Sequence, residues 1–260
     1  MPQAYAIQFD NVSKTYITRE GETEAIRDIS FQVEEGEFVT LVGPSGCGKS
    51  TILSLISGLF QPTAGTVYIN GKKVLQPSIE IGYMLQQDYL LSWRKIEENI
   101  LLGLEIQNKL SVETKGYALS LLEEMGLTSY KKHYPHQLSG GMRQRVALVR
   151  TLATNPNILL LDEPFSALDY QTKLKLEDLV RSTLRKRRKT ALLVTHDISE
   201  AIAMSDKIVI LDRNPGRIKK EIILPPELRD PLPVETRDVP SFQKHFHLIW
   251  QEMNLNDEKK

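Results

Sequence analysis

Apolar and polar residues alternate from Tyr5 to Tyr16 and again from Ile29 to Val33, a period-two pattern that predicts half-buried strands of an antiparallel sheet. Glu35-Gly36 then turns the chain into a continuous apolar run, Phe38 to Val42. Beyond a glycine-rich stretch, Ile52, Leu53, Leu55, Ile56, Leu59 and Phe60 recur at helical spacing, so this region reads as strand, loop, helix. Strands are expected at Thr66 to Ile69 and Ile79 to Met84, with a turn at Asn70-Gly71 between them. From about Asp88 to Arg150 the period becomes helical, with Ser111 as an N-cap and Gly126 closing a helix after Met125. Ile158 to Asp162, Ala191 to Thr195 and Lys207 to Leu211 are short apolar runs separated by helical stretches, the pattern of parallel strands buried on both faces. After Asn214 come six of the thirteen prolines, which predict an extended tail that ends in a short amphipathic helix from Phe242 to Met253. That helix carries Phe242, Phe246, Leu248, Ile249 and Trp250, and docking on its own domain is expected rather than insertion in lipid. The class is α/β: a mainly parallel sheet, an N-terminal antiparallel β-subdomain and a helical subdomain at about 88–150. Residues 1–218 form the main domain and 219–260 a C-terminal extension.

The composition of the 260 residues, 41% hydrophobic and 25% charged, is that of an ordinary globular chain able to bury a core. Lys and Arg number 33 and so do Asp and Glu, so the formal charge is zero, which argues against a sequence-independent grip on nucleic acid. The single cysteine, Cys47, excludes an internal disulfide, and the N-terminus does not resemble a secretion signal, so a reducing cytosol is expected. No run approaches the ~18 to 20 apolar residues of a membrane-spanning helix; work at a membrane would require another chain to cross it. Arg185-Lys-Arg-Arg-Lys189 reads as a solvated helix end, and Pro135 between His133 and His136 speaks against a zinc-binding helical pair.

The chemistry enters with Gly43-Pro-Ser-Gly-Cys-Gly-Lys-Ser50, which fits G-x-x-x-x-G-K-[ST] between an expected strand and helix. The loop residues Gly43, Pro44, Ser45, Gly46, Cys47 and Gly48, and on into Thr51, would wrap the phosphates of a nucleotide with their backbone N–H groups, Pro44 excepted because it has none, the helix N-terminus adding its dipole. Lys49 would reach the β- and γ-phosphates and the Ser50 hydroxyl would ligate Mg²⁺, while Cys47 is a small filler within the loop. Asp162 and Glu163 end an apolar strand and so reach the carboxyl edge of the sheet beside this loop. Asp162 suits the Mg²⁺ shell, and Glu163 could polarise a water for attack on the γ-phosphate. His196 follows another strand to the same edge, where its imidazole could bond that phosphate. In Leu138-Ser-Gly-Gly-Met-Arg-Gln-Arg145 a Ser-Gly-Gly turn opens a long helix and makes a second anion-binding N-terminus, so one chain carries two phosphate grips.

With that motif the sequence resembles the ATP-binding subunit of ATP-binding cassette (ABC) transporters. The resemblance covers Tyr5 to Gly216 and rests on the phosphate loop, Gln86 after a strand, the LSGG signature, the Asp162-Glu163 strand, Ser166-Ala-Leu-Asp169 and His196 in Thr195-His-Asp197. It implies a phosphate-loop nucleotide triphosphatase core, ATP and Mg²⁺ as cofactors, and a head-to-tail homodimer in which Ser139, Gly140 and Gly141 contact the ATP held by the partner's phosphate loop. It further implies Glu163 as base, His196 as γ-phosphate sensor, Asp169 in the facing interface, and Gln86 as a Mg²⁺ ligand and reporter toward membrane subunits. Gln87 adjoins Gln86 and could replace it in that role; Gln86 is preferred because the next position is commonly acidic or variable in the family. Tyr16 matches the aromatic position that stacks on adenine, or is a strand residue facing a small core.

Leu90-Leu-Ser-Trp93 resembles the Leu-Leu-Pro-Trp stretch of the nitrate, sulfonate and taurine importers, with Ser92 in place of proline, and Asn214-Pro-Gly-Arg-Ile218 resembles a segment of the same branch. The implied function is the ATP-hydrolysing subunit of an importer for a small solute, either of that type or like a thiamine precursor. Its partners would be an integral permease and, indirectly, a solute-binding protein, with no nucleic acid, at the cytoplasmic face of the cell membrane. The alternatives are a soluble ABC ATPase acting on nucleic acid, against which stand a single motif set and neutral charge, and a phosphate-loop kinase, which leaves the signature without a purpose.

Overall fold

The structure, a computed structural model, describes residues 5–19, 21–166 and 168–254. Two long antiparallel strands open it, β1 (Tyr5–Thr18) and β2 (Gly21–Glu34), whose residues Ile7, Phe9, Val12, Ile26, Ile29, Phe31 and Val33 are buried. The continuous apolar run is β3 (Phe38–Val42), buried at every position, and the phosphate loop leads from it into α1 (Lys49–Ile56). That helix was expected to reach Phe60. It stops at Ile56 because the backbone turns at Gly58 with φ of 76°, leaving Leu59 and Phe60 exposed. The strands β4 (Ala64–Ile69) and β5 (Lys72–Lys73) complete a four-stranded antiparallel sheet in the order β2-β1-β4-β5, and β6 (Ile81–Met84) then enters the second sheet.

The helical layer follows as α2 (Ile96–Ile106), α3 (Val112–Glu124) and α4 (Gly140–Ala153). Ser111 caps α3 by accepting the Thr114 N–H at 3.2 Å, and Gly126 turns the chain at φ of 68° just past its end, as the sequence indicates. Next come β7 (Ile158–Asp162), α5 (Tyr170–Lys186), β8 (Thr190–Thr195), α6 (Ile198–Met204) and β9 (Lys207–Asp212). With β10 (Arg217–Ile223) they give a six-stranded sheet in the order β10-β9-β3-β8-β7-β6, parallel except for the β9–β10 pair. One apolar core lies between this sheet and the helical layer, another between the two sheets, and a third under α6.

A further sequence expectation fails. The proline-rich tail is not extended: Pro226 and Pro233 occupy the first positions of the short helices α7 (Pro226–Arg229) and α8 (Pro233–Thr236), where a missing N–H costs nothing. The terminal helix α9 (Phe242–Asn254) docks on the third core as expected, but through Phe242 and Ile249, while Leu248 and Trp250 stay exposed. The basic run is the end of α5 just before β8, with Arg185, Lys186 and Arg188 exposed as expected, and it is also anchored. Arg185 donates to the Asp230 carbonyl at 2.8 Å, Arg187 donates to Glu124 at 3.0 Å and lies over the Tyr117 ring, and Lys189 donates to Asn155 at 2.9 Å.

The segment after β9 has a packing role that its sequence pattern hides. Gly216 donates its N–H to the Ala25 carbonyl at 3.0 Å and accepts from the Arg27 N–H at 2.9 Å, lacing the turn onto β2. A Cβ at Gly216 would fall on the backbone carbonyl of Cys47, and one at Gly48, itself at φ of 91°, on the Ile26 side chain. The phosphate loop is therefore clamped backbone against backbone between β2 and the β9–β10 turn. Replacing Gly216→Ala forces one of these backbones to move, at about 2 kcal/mol, a loss that urea unfolding would register; unaltered stability would mean that the contact is slack.

Candidate functional site: a nucleotide cleft at the sheet edge

Register brings the candidate residues together. Across the central strands Val42 pairs with Thr195, Asp162 with Val194 and Met84 with Leu161, so β3, β8, β7 and β6 end within a residue of one another on a common edge. An open cleft of about 430 Å³ lies there, lined by residues 45–51 of the phosphate loop together with Ala25, Glu163 and His196. Lys49 arches over its own loop, donating to the carbonyls of Gly43 at 2.7 Å and Pro44 at 3.1 Å. Ser45, Gly46 and Ser50 are exposed in the cleft. Cys47 is fully buried and burial pushes its thiol upward, so its side chain is filler, as expected. Tyr16 stands half-buried beside the loop's last residue, its hydroxyl 3.4 Å from Thr51 Oγ1 and its ring edge-on to Phe60 at 5.8 Å.

Asp162 is the last residue of β7 and accepts the Tyr83 hydroxyl at 3.4 Å. Burial, and next the charge of Glu163, raise its pKa, while Tyr83 and Lys49 oppose the rise. Glu163 leaves the strand with φ of 45°, a left-handed conformation uncommon for glutamate, while its N–H stays on the Val194 carbonyl at 2.9 Å. The backbone thus turns Glu163 away from Asp162. Its carboxylate receives Gln86 Nε2 at 3.1 Å on one oxygen and lies 3.2 Å from His196 Nδ1 on the other. Of the two adjacent glutamines, Gln86 makes this contact.

The signature lies elsewhere. Ser139 caps α4, accepting the Met142 N–H at 3.4 Å, and Ser139 and Gly140 are exposed; Gly141 packs so closely on Thr172 of α5 that a Cβ would collide with it. None of the three lines the phosphate-loop cleft. Gly140 instead borders a separate hollow with residues 86–89, Arg143, Gln144 and Leu168. Asp169 caps α5 through the Thr172 N–H at 3.0 Å, which holds its carboxyl below the usual range.

Several site residues escape the motif reading. Gln144, buried, donates to the Gln86 carbonyl at 3.0 Å; Arg143 pairs with Asp88 at 2.9 Å; Arg150 reaches the Asp88 and Tyr89 carbonyls at 2.6 and 2.8 Å. Together they fasten the segment after β6 onto α4. Gln144 and Arg143 lie inside the signature stretch and were assigned no role there. Tyr83 carries only its strand position as a signal.

The donor set fits Mg²⁺. No cluster of three or more His, Cys, Asp or Glu side chains forms a cage among the described residues; the cleft instead offers the hard oxygen of Ser50, with the Asp162 carboxyl at the end of β7 on the same sheet edge. A cation that draws its other ligands from phosphate and water suits such a site.

A phosphate loop after β3, two carboxylates at the end of β7 with only β8 between the two strands, and a helix N-terminus held outside the cleft define a nucleotide-hydrolysing cassette. A family model described as "ABC transporter" matches residues 26–166, and the chain belongs to that family, as an ATP-binding subunit that hydrolyses ATP. It is 55% identical over 248 residues to "Uncharacterized ABC transporter ATP-binding protein YtlC" of Bacillus subtilis, covering 95% of each chain. Identity is 41% to the aliphatic sulfonates import ATP-binding protein SsuB of Bacillus cereus, over 83% of this chain and 85% of that one. It is 36% to the nitrate import ATP-binding protein NrtD of Synechocystis, over 84% and 82%. The dimeric, post-hydrolysis structure of the cassette MJ0796 bound to ADP and Pi superposes with a TM-score of 0.75 at 36% identity, over 84% of this chain and 99% of that one.

The raised pKa of Asp162 has a thermodynamic sign. A carboxyl that binds its proton more tightly in the folded state makes stability fall as pH rises from the unfolded value of about 3.9 through the folded one. Without nucleotide or Mg²⁺, Asp162→Asn is therefore expected to melt above the parent at pH 8, the advantage shrinking toward pH 4. Thermal denaturation across that range checks it, and a lower melting temperature at pH 8 would contradict the electrostatic account.

Proposed function

We propose that the chain is the energising subunit of an importer for a small solute, of the sulfonate, nitrate or taurine type or resembling a thiamine precursor. In this reading it works as a homodimer on the cytoplasmic face of a membrane, beneath an integral permease that a solute-binding protein supplies. The relatives' import activities and the Leu-Leu-Ser-Trp segment support the importer type. No helix among the described residues is long and apolar enough to cross a membrane, so the path for the solute belongs to another chain. No observation favours the nucleic-acid alternative.

The observation that carries the reading is a separation: the phosphate loop and Glu163 share one cleft, and the signature serine and glycines do not line it. A signature so placed is available to a nucleotide on a second copy. ATP would then be gripped by Tyr16 at the base, by the loop and Lys49 at the phosphates, and by the partner's Ser139, Gly140 and Gly141 across the interface, with Asp169 nearby. Ser50 and Asp162, joined by Gln86, would hold Mg²⁺. When bound, that ion would neutralise phosphate charge.

Glu163 would accept the proton of an attacking water, and its two hydrogen bonds aim the carboxylate at the cleft. His196 would bond the γ-phosphate. Gln86 would report occupancy through the contacts that tie its segment to α4.

Glu163→Gln keeps the shape and removes the base, so ATP affinity should survive, turnover should fall at least ~100-fold, and a nucleotide-bound dimer should accumulate in size-exclusion chromatography. Unimpaired turnover would remove Glu163 from the role of base. Ser139→Arg, by contrast, should stop hydrolysis while the isolated monomer binds nucleotide as before, which equilibrium titration of a fluorescent ATP analogue can read. A collapse of monomer affinity would place the signature in cis.

A further inference from the structure

His196 is followed by Asp197, and the two sit where β8 passes into α6. Asp197 caps α6 by accepting the N–H groups of Ser199 at 2.8 Å and Glu200 at 3.2 Å. Its other oxygen takes Lys173 Nζ at 2.7 Å, and the same ammonium lies 2.7 Å from the buried Glu200 carboxylate. Lys173 belongs to the first turn of α5, its N–H on the Asp169 carbonyl. One cation therefore fastens the start of α6 to the start of α5, between His196 and Asp169.

A third carboxylate stands within reach of that cation. Glu177 is fully buried, one helical turn along α5, and its Oε1 lies 3.8 Å from Lys173 Nζ with no hydrogen-bond partner. Its Oε2 is held at 2.6 Å by Arg237, which comes from the C-terminal segment just past α8 and also donates to the Pro233 carbonyl at 2.7 Å. Three carboxylates thus share two cations. The shortage shows at Glu200, whose carboxyl burial pushes up to about 7 even though Lys173 opposes the rise. A buried carboxylate deprived of its partner seeks another, because an unpaired buried charge is costly.

We propose that Arg237 is a positioning residue for ATP hydrolysis: by occupying Glu177 it leaves Lys173 to Asp197 and Glu200, which hold the α6 cap and the adjoining His196 in place. Without Arg237, Glu177 takes Lys173 for itself, Asp197 loses its cation, and the turn that carries His196 loosens. The C-terminal segment, which contributes no residue to the cleft lining, becomes a determinant of turnover. The inference rests on the reading of His196 as a γ-phosphate contact.

The competition for one ammonium dictates the test, made on the full chain well below its melting temperature. Arg237→Met is expected to lower kcat about tenfold with the KM for ATP unchanged within about twofold, since a displaced catalytic group costs rate more than binding. Arg237→Lys should restore most of the rate. The decisive variant is Glu177→Gln combined with Arg237→Met: it removes the competitor along with its partner, Lys173 stays on Asp197, and kcat should return to within about twofold of the parent. A normal kcat in Arg237→Met, or a double variant as slow as the single one although its melting temperature has recovered, overturns the proposal. His196→Ala separates the two layers: if it turns over normally, the reading of His196 fails and takes the inference with it, whereas an inactive His196→Ala beside a normal Arg237→Met overturns the inference alone.

Discussion

The site depends on strand register. Four parallel strands reach one sheet edge at the same height, and each delivers a different piece of chemistry: β3 the phosphate loop, β7 the two carboxylates, β8 His196 and β6 the segment with Gln86. Side chains alternate along a strand, so a slip of one residue in any pair would send these groups to the wrong face. What holds the register is apolar burial on both sides. Leu159, Leu160 and Leu161 of β7 and Ala191 to Val194 of β8 are buried, facing the helical layer and the antiparallel sheet in turn, so a slipped strand would have to exchange its two cores. The apolar runs that look least informative in the sequence therefore fix the geometry of the polar residues at their ends.

Register alone does not separate the duties of Asp162 and Glu163, which are covalent neighbours. Backbone conformation does. Asp162 remains in the strand, among Tyr83 and Lys49, where burial and the neighbouring charge disfavour its anion. Glu163 has left the strand through a left-handed turn and meets Gln86 and His196 instead. A non-glycine residue in that region of backbone space is strained, and here the strain is held by the Glu163 N–H on β8 and by the Ser166 N–H and hydroxyl on the Glu163 carbonyl. The two adjacent carboxylates thus have separate hydrogen-bond partners, although the charge of Glu163 still contributes to raising the pKa of Asp162.

How far the sequence reveals this depends on the range of the interaction. Strand, loop and helix around Gly43 to Ser50 are legible because period, glycines and capping are local. The end of α1 is misread because apolar spacing continues through Leu59 and Phe60 while Gly58, an equally local signal, has already turned the chain. The tail is misread for a related reason: proline rules out helix interiors but favours first turns, and Pro226 and Pro233 use the second property. The candidate residues that meet at the cleft are legible through their motifs. The partners that hold them, Gln144 on the Gln86 carbonyl or Arg237 on Glu177, are separated by 58 and 60 residues from what they touch, and no periodicity marks a single long-range hydrogen bond.

Those long-range bonds also suit the site to changing state. Glu163 stands between two groups anchored in different parts of the molecule: Gln86, whose segment is fastened to α4 of the helical layer, and His196, whose turn is fastened to α5 and, through Glu177, to the C-terminal segment. Each link to Glu163 is one hydrogen bond to a carboxylate oxygen, worth about 2 kcal/mol net, far less than the apolar burial that holds the strands. A shift of either anchor by an ångström would break its link at little cost, so the carboxylate can respond to displacement on both sides while the phosphate loop stays clamped between β2 and Gly216. A firmly held phosphate loop and a loosely held Glu163 coexist because they rest on different kinds of contact, close backbone packing for the first and single side-chain hydrogen bonds for the second.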